Sequence, residues 1–280
     1  MKCDVCEGTM KPDVLANTYR CSLCGFHKSS LPVRINDSER IDETVREIAL
    51  ASIRSSNFEQ LLDETAEFLF PRATILDVGC AHGWFLNAAK ARGYQAKGIE
   101  PDLNVAKRAR AGGHEVLAGF FPDDLVGDER FDAVTFNDVF EHVPDTNGLA
   151  FAVRDRLNTG GLLIINLPVS DGFVFRLARL AARFGVVGPL ERMWQLGLPS
   201  PHLSYFSIST LQRLINRAGF HLLKDGALQS ISNVGLYQRI RYDRNIGVVK
   251  AAVLYIIARA INAAKSYTVS DVHYFIFKRD

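Results

Sequence analysis

Four cysteines near the start of the chain have the spacing of a metal site. They form two C-x-x-C pairs, Cys3 with Cys6 and Cys21 with Cys24, and fourteen residues separate the pairs. Two residues between cysteines let both thiolates of a tight turn face one point, and two such turns supply the tetrahedral sulfur ligands of zinc. We therefore predict a structural zinc ribbon over residues 1–30; four unrelated buried cysteines are the alternative.

A second group of residues, ILDVGCAHGWF at 75–85, could hold a nucleotide-like ligand. Asp77 lies in an apolar run, and Gly79 and Gly83 follow it in a loop. Because glycine has no side chain, the backbone of such a loop can approach a ligand closely. Glu100 follows Gly83 by 17 residues, at a spacing that suits hydrogen bonds to both hydroxyls of a ribose. The loop lacks the G-x-G-x-x-G pattern of NAD enzymes, and no Gly-Lys-Ser/Thr follows for a phosphate loop.

The elements that must position this loop alternate between strand and helix from residue 72 to about 168. Strands are predicted at 74–79, 95–100, 114–119, 131–138 and 162–168, and helices at 84–93, 103–113 and 149–161. Such alternation predicts an α/β fold with a doubly wound, mostly parallel sheet and a ligand at the carboxyl ends of the strands. Residues 271–280 alternate as well and are predicted to close the sheet as its antiparallel edge.

This order resembles that of class I S-adenosylmethionine-dependent methyltransferases, and the resemblance runs through residues 74–220. Their D-x-G-x-G-x-G motif corresponds to residues 77–83, with Ala81 at the middle glycine, and NDVFEHVPD at 137–145 resembles their D/N-x-x-E-H-h-x-D segment. The resemblance implies a seven-stranded Rossmann-like sheet and S-adenosyl-L-methionine as the cofactor. The cofactor contacts that it implies are Asp77, Gly79, Cys80, Gly83, Glu100, Phe120 and Asn137.

The acceptor end of the site is expected from two further segments. PHLSYFS at 201–207, followed by a helix at 209–220, resembles a signature of bacterial small-molecule and glycan methyltransferases. The resemblance implies His142, His202 and Tyr205 as catalytic residues, and a histidine suits removal of a proton from a hydroxyl at neutral pH. A related quinone-methylating group binds a divalent metal through acids and the histidine of the 137–145 segment, so Glu141 and His142 leave a metal-assisted reaction open.

The chain is expected to contain three regions. These are the zinc ribbon at 1–30, a helical linker or cap at 31–70, and a methyltransferase domain at 71–280 with helical insertions at 169–208 and 236–267. Apolar spacing predicts two helices in the linker, at 38–53 and 58–70. The insertion after the fifth strand is where this family places its substrate cap.

The charge is distributed unevenly, although the net charge is only +2. Residues 1–150 contain 16 Lys and Arg against 24 Asp and Glu, whereas residues 151–265 contain 15 against 5. A basic half suits a phosphorylated or lipid-linked acceptor, or an anionic membrane surface contacted by helices around 173–184 and 246–265. A lid helix and a core or dimer helix are the favoured alternative for these two segments. With no signal peptide pattern and no apolar run of about 18–20 residues, we expect a cytoplasmic protein, with contact at the inner membrane face left open.

These observations predict an S-adenosylmethionine-dependent methyltransferase. O-methylation of a sugar, glycan or other small-molecule acceptor is favoured, because ribbons of the form C-x-x-C…C-x-x-C-G occur on many envelope polysaccharide methyltransferases. The alternatives are an RNA base methyltransferase, disfavoured because the ribbon has few cations, and a zinc-bearing binding protein of methyltransferase fold that does not turn over. The acceptor atom and the oligomeric state do not follow from the sequence.

Overall fold

Three short strands open the chain and carry the cysteine pairs. The computed structural model describes residues 1–33, 43–198, 200–230, 236–241, 246–264 and 270–280. Strands β1 (Met10–Pro12), β2 (Thr18–Cys21) and β3 (His27–Ser29) pair antiparallel, and β3 also pairs with the distant β9 (Ser204–Tyr205). Phe26 is fully buried and packs against the ring of Phe206, 4.8 Å away between centroids. The ribbon therefore shares its core with the rest of the protein.

A seven-stranded sheet forms the centre of the molecule. Its strands are β4 (Thr74–Val78), β5 (Gln95–Glu100), β6 (Val116–Ala118), β7 (Phe131–Asn137), β8 (Leu157–Pro168), β10 (Phe220–Leu228) and β11 (Val272–Arg279). Their order in space is β10-β11-β8-β7-β4-β5-β6, and β11 runs antiparallel to both of its neighbours while the other pairs are parallel. The predicted doubly wound, mostly parallel, seven-stranded fold is confirmed.

Helices cover both faces of the sheet. They are α1 (Glu43–Thr65), α2 (Trp84–Ala91), α3 (Leu103–Ala111), α4 (Thr146–Arg156) and α7 (Ile208–Arg217). Helix α3 begins where the Asp102 side chain accepts from the backbone N–H of Asn104 and Val105, and α7 begins at a capping box between Ser207 and Thr210. Parallel strands buried on both faces read as continuous apolar runs, which explains the LLII sequence of β8.

The core consists of two layers separated by the sheet. On one face, Phe136 and Phe275 pack with apolar residues of α4 and α7, among them Val153. On the other face, Ile75 and Ile276 pack with apolar residues of α1 and α2. The strand residues in both layers are buried from solvent. This packing positions the carboxyl ends of β4, β5, β7 and β8.

Further helices lie in the two segments that were expected to be insertions. Helices α5 (Phe173–Arg183) and α6 (Gly188–Met193) follow β8, and α8 (Leu236–Arg241) and α9 (Val248–Ala264) precede β11. Phe140–His142 forms a single 3₁₀ turn after β7. Within the described ranges, none of the helices combines the length and the apolar character needed to cross a membrane.

Two local predictions are wrong, the division of the linker into two helices and the edge position of residues 271–280, and one strand was missed. The described part of the linker contains one continuous helix, α1, which ends at Thr65, rather than two helices, because Ser55, Ser56 and Asn57 stay helical where Phe58 packs on the core. The start of the predicted 38–53 helix, up to residue 42, lies outside the described residues. Strand β10 was not predicted. Its presence moves β11 into the interior of the sheet, so that β10 and β6 form the edges.

Candidate active site

A cavity of about 730 Å³ opens at the carboxyl ends of the parallel strands. Its floor includes Gly79 after β4, Glu100 at the end of β5 and Asn137 at the end of β7. The 3₁₀ turn and the segment before β9 form the opposite wall, which includes His142 and His202. The site therefore lies where a doubly wound sheet is expected to bind its ligand.

The glycine loop after β4 has the backbone geometry that its sequence requires. Gly79 and Gly83 have φ angles of +72° and +79°, and a side chain at Gly79 would place its Cβ 2.6 Å from Val139. Ala81, which stands at the middle glycine of the motif, also has a positive φ of 45°. The loop thus keeps the left-handed turn of the glycine motif even where an alanine occupies it.

Glu100 is held by the loop that it faces. Its Oε2 accepts from the backbone N–H of Ala81 at 3.0 Å, and its Oε1 accepts from that of Asp102 at 3.0 Å. Burial raises the pKa of this carboxyl, and the two amide donors partly offset the increase. The carboxyl lines the cavity, where it can accept from ribose hydroxyls.

Asp77 lies just below the floor of the cavity, in a chain of buried polar side chains. The amide of Asn166 donates to Oδ1 of Asn137 at 2.5 Å, and the amide of Asn137 donates to Oδ1 of Asp77 at 2.9 Å. Burial raises the pKa of Asp77 to about 8, and the nearby Glu100 adds to the increase while Asn137 opposes it. A cation bound above this carboxyl would favour its ionised form.

Aromatic side chains flank the other end of the cavity. Phe120 is 52% exposed and lines the cavity together with Phe121, and the Phe121 ring meets that of Phe136 edge to face at 6.1 Å. An exposed ring beside a ribose-binding carboxylate offers a face on which a purine base can stack. The position of Phe120 is consistent with the predicted adenine contact, which remains a prediction.

Glu141, His142 and His202 meet at the acceptor end of the cavity. The Nε2 atoms of both histidines lie 3.9 Å from Oε1 of Glu141, and the two imidazole rings are 4.7 Å apart between centroids. Glu141 is 1% exposed, and its oxygens accept no hydrogen bond from any described residue. Burial raises its pKa well above the ordinary value, and burial lowers the pKa of His202 well below its own.

Hydrogen bonds fix the orientation of both histidine rings. Nδ1 of His142 lies 3.0 Å from the carbonyl oxygen of Pro201, so this nitrogen carries the proton and Nε2 is the basic atom. The side-chain amide of Gln195 donates to Nε2 of His202 at 2.8 Å. Nε2 of each histidine thus lies near Glu141, and that of His202 also accepts from Gln195.

The structure brings together only part of the predicted site. Residues that line the cavity are Gly79, Glu100, Phe120, Asn137, His142 and His202. Asp77, Cys80, Gly83 and Tyr205 are not among its described lining residues; Tyr205 is buried and donates to the carbonyl of Met193. The backbone N–H of Cys80 donates to the carbonyl of Ile99, and burial raises the pKa of its thiol.

Arg54 is a cavity residue that the sequence did not indicate. It extends from α1, and its guanidinium lies 3.4 Å from Oδ2 of Asp138. Asp138 has a φ of 55°, which places it in the left-handed region two residues before the 3₁₀ turn. Asp138 belongs to the 137–145 segment, but Arg54 belongs to no motif, because only the packing of α1 over the sheet brings the arginine to this loop.

The four ribbon cysteines have the geometry of a metal site. Sγ of Cys3 is 3.6 Å from that of Cys24, Sγ of Cys6 is 3.5 Å from that of Cys21, and all four lie within 4.8 Å of one another. A tetrahedral zinc with Zn–S bonds of about 2.3 Å separates its sulfurs by about 3.8 Å. The residues present therefore fit a zinc ion.

Comparisons with known proteins agree with the fold. The family described as "Methyltransferase domain" matches residues 50–225. A ubiquinone biosynthesis O-methyltransferase of Xanthomonas campestris pv. campestris is 30% identical over 128 residues, which are 42% of this chain and 53% of that protein. The chain thus spans about half the length of the curated relatives that it matches.

Solved structures extend the likeness in fold over most of the chain. One is a putative sarcosine dimethylglycine methyltransferase from Galdieria sulphuraria, with a TM-score of 0.55, 18% identity, and coverage of 86% of this chain and 91% of that chain. Another is a Haemonchus contortus phosphoethanolamine N-methyltransferase with S-adenosylhomocysteine bound, with a TM-score of 0.57, 16% identity, and coverage of 83% and 56%. With the family match over more than half of its length, the chain belongs to the class I S-adenosylmethionine-dependent methyltransferases.

Proposed function

We propose that this protein transfers the methyl group of S-adenosylmethionine to a hydroxyl group of a small-molecule acceptor. The observation that carries the proposal is the basic Nε2 of His142, oriented by the Pro201 carbonyl, beside the buried carboxyl of Glu141. This imidazole nitrogen can accept the proton that a hydroxyl loses on methylation. O-methylation is also the activity named for the curated relatives.

The cofactor residues would place the reacting methyl group between the two ends of the cavity. Glu100 would accept hydrogen bonds from the ribose hydroxyls, and Phe120 would stack on the adenine. Asp77, beneath the cavity floor, would attract the ammonium group of the methionine part by its negative charge. The bound cofactor supplies an electrophilic methyl group. Alignment of an acceptor oxygen with that group provides much of the rate increase, and His142 removes the proton.

The acceptor class is the finer part of the proposal. The proposed acceptor is a sugar, a glycan or another small molecule. A phosphorylated or lipid-linked acceptor would be attracted by the positive charge of residues 151–265, which contain 15 Lys and Arg against 5 Asp and Glu. Arg54 and Arg192 both line the cavity and offer positive charge to an anionic acceptor. An RNA acceptor and a protein without turnover are the competing outcomes of the test.

The test is an activity screen with isotope-labelled S-adenosylmethionine against sugars, nucleotide sugars, catechols and quinols. We expect label in an ether linkage, and we expect His142→Ala to lower kcat at least about tenfold while S-adenosylhomocysteine still binds. His221→Ala is the matched control, because His221 is exposed on β10 and pairs with Asp280. Lack of cofactor binding, or label only in RNA, would refute the proposal.

A chelator separates two mechanisms at the acceptor end. Glu141, His142 and His202 offer one ligand atom each within 4.8 Å, a donor set that a divalent cation could also use. If proton transfer to His142 suffices, activity survives dialysis against a chelator and depends on pH through a basic group. If activity is lost and returns with Mg²⁺ or Zn²⁺, the cluster acts as a metal site instead.

We also propose that the ribbon binds one structural zinc ion through Cys3, Cys6, Cys21 and Cys24. The distances between their sulfurs support the proposal. Burial raises the pKa of Cys3 and Cys24, whereas backbone amides and the neighbouring thiols of Cys6 and Cys24 lower the pKa of Cys21 to about 6 against the effect of burial. A thiolate at neutral pH is the form that binds the metal. Elemental analysis should find about one zinc per chain, and less than half as much in Cys21→Ser.

A location at the inner face of a membrane is proposed from helix α9. Val249, Val253 and Ile256 are half-exposed or more and share one face, Lys250 and Arg259 accompany them, and the helix contains no acid. Cationic apolar surfaces bind anionic bilayers. The wild-type protein should sediment with vesicles that contain phosphatidylglycerol, and Ile256→Glu should not. Val126→Glu is the control, because Val126 lies on an exposed loop, and it should sediment like the wild type. Dimerisation without vesicle binding would contradict this proposal.

A further inference from the structure

The ribbon is attached to the acceptor end of the cavity by strand pairing. β3 pairs with β9 through His27 opposite Tyr205 and Lys28 opposite Ser204. The pairing continues beyond β9, because the backbone N–H of Ser29 donates to the carbonyl of Leu203 at 2.8 Å. A strand of two residues has little stability of its own, so β9 depends on the partner that it pairs with.

Two hydrogen bonds lead from the ribbon to the acceptor cluster. The hydroxyl of Ser29 donates to the carbonyl of His202 at 3.0 Å, in a buried environment. The backbone N–H of Leu203 then donates to the carbonyl of Glu141 at 2.9 Å. The strand on which Ser29 lies thus holds the backbone of His202 directly, and it holds the backbone of Glu141 through Leu203.

A second attachment involves the metal turns themselves. The Arg217 guanidinium, at the end of α7, donates to the carbonyls of Asp4 and Val5, which lie between Cys3 and Cys6. Lys28 pairs with Asp4 at 2.5 Å and donates to the carbonyl of Pro144, just after the 3₁₀ turn. The order of the first C-x-x-C turn is therefore coupled to the loop that carries the acceptor cluster.

The cofactor end is held by other elements. Asp77 and Asn137 are bonded to each other and to β8, and Glu100 is bonded to the glycine loop and to the start of α3. A ribbon of about 30 residues cannot build a sufficient core alone, so a bound metal supplies most of its order. Loss of that order would reach the acceptor end before the cofactor end.

We propose that the metal-loaded ribbon supports the wall of the acceptor site by pairing β3 with the segment 202–205, and that Ser29 is a positioning residue that fixes the backbone of His202. The inference rests on the proposed function only in taking the cluster of Glu141, His142 and His202 as the acceptor end. It makes acceptor binding depend on the metal while cofactor binding does not.

The first experiment compares Ser29→Ala with Ser30→Ala. Ser30 is the exposed neighbour, whose hydroxyl lies 3.5 Å from the carbonyl of Asn17. Hydrogen exchange at the amides of His202 and Leu203 should become about tenfold faster in Ser29→Ala, equivalent to about 1.4 kcal/mol, and stay unchanged in Ser30→Ala. Affinity for S-adenosylhomocysteine should stay within about twofold in both variants. Equal exchange in the two variants would overturn the role of Ser29.

The second experiment removes the metal from the wild-type chain and confirms the removal by elemental analysis. Exchange should become faster over 200–206 and 139–143, and the affinity for S-adenosylhomocysteine should be retained. Unchanged exchange, simultaneous loss of cofactor binding, or a protein purified without metal would each overturn the metal dependence. Absence of cofactor binding in the metal-loaded wild type would instead refute the proposed function, so the two failures are distinguishable.

Discussion

Cofactor affinity is expected to rise with pH, because Asp77 must lose a proton before its charge can attract an ammonium group. In the unliganded protein, burial raises the pKa of this carboxyl to about 8. A cofactor that carries a positive amino group above Asp77 favours the ionised form. The form of the protein that binds S-adenosylhomocysteine, with Asp77 ionised, is therefore the minor form at neutral pH.

The size of the effect follows from that pKa. The ionised fraction of Asp77 is about 1% at pH 6 and about 50% at pH 8, so the apparent affinity should rise by up to about fiftyfold, or about 2.3 kcal/mol. Above about pH 8 most of Asp77 is already ionised, so the gain levels off. The raised pKa also predicts that the unliganded protein loses stability as the pH rises from about 4 toward 8, since the unfolded carboxyl ionises first.

Isothermal titration calorimetry can measure both the affinity and the released proton. Titrations at pH 6, 7 and 8, in buffers of different ionisation enthalpy, should show release of about 0.9 proton per ligand at pH 7. Asp77→Asn is the control, in which weaker binding should no longer depend on pH in this range. A flat affinity in the wild type, or the same slope in Asp77→Asn, would refute the reasoning.

Four further substitutions have defined outcomes. Glu100→Gln should weaken cofactor binding by about 1–3 kcal/mol without loss of the circular dichroism spectrum, and unchanged calorimetric affinity would exclude its ribose contact. Gly83→Ala should lower the free energy of unfolding in urea by about 2 kcal/mol, because its Cβ would lie 2.5 Å from His114 at a φ of +79°. Gly113→Ala, at a φ of +85° with open space around it, should lose about 1 kcal/mol or less. Phe275→Ala should cost about 3–5 kcal/mol in the same assay, since its ring is fully buried.

The convergence of the glycine loop and Glu100 at one edge of the sheet was predictable because its signals are local in sequence, while their role in binding the cofactor stays a prediction. Gly79 and Gly83 sit in one loop, and Glu100 ends the next strand, so the alternation of strands and helices places them at one edge. The acceptor half depends on packing between distant segments. Glu141 and His202 are 61 positions apart in the chain, and the motif that indicated His202 gave no sign that Tyr205 would face Met193 instead of the cavity.

Strand β10 and helix α1 show why some elements escaped the sequence. In β10 only Phe220 and Leu228, at its two ends, are buried, and Lys224, Asp225 and Gly226 between them disfavour a strand. Backbone hydrogen bonds to β11 stabilise the strand although its local sequence does not favour one. In α1 the weak helix formers at 55–57 suggested a break, but packing of the following residues on the core keeps the helix continuous.

The position of β11 has a consequence for the order in which the protein can be assembled on the ribosome. β8 and β10 flank β11, yet β10 ends at residue 228 and β11 begins only at residue 272. Until those last strand residues emerge, two hydrogen-bonding edges stay without their shared partner, whereas β4 to β8 can already pair. Nascent chains should therefore remain prone to edge-to-edge association until residues 272–279 are inserted.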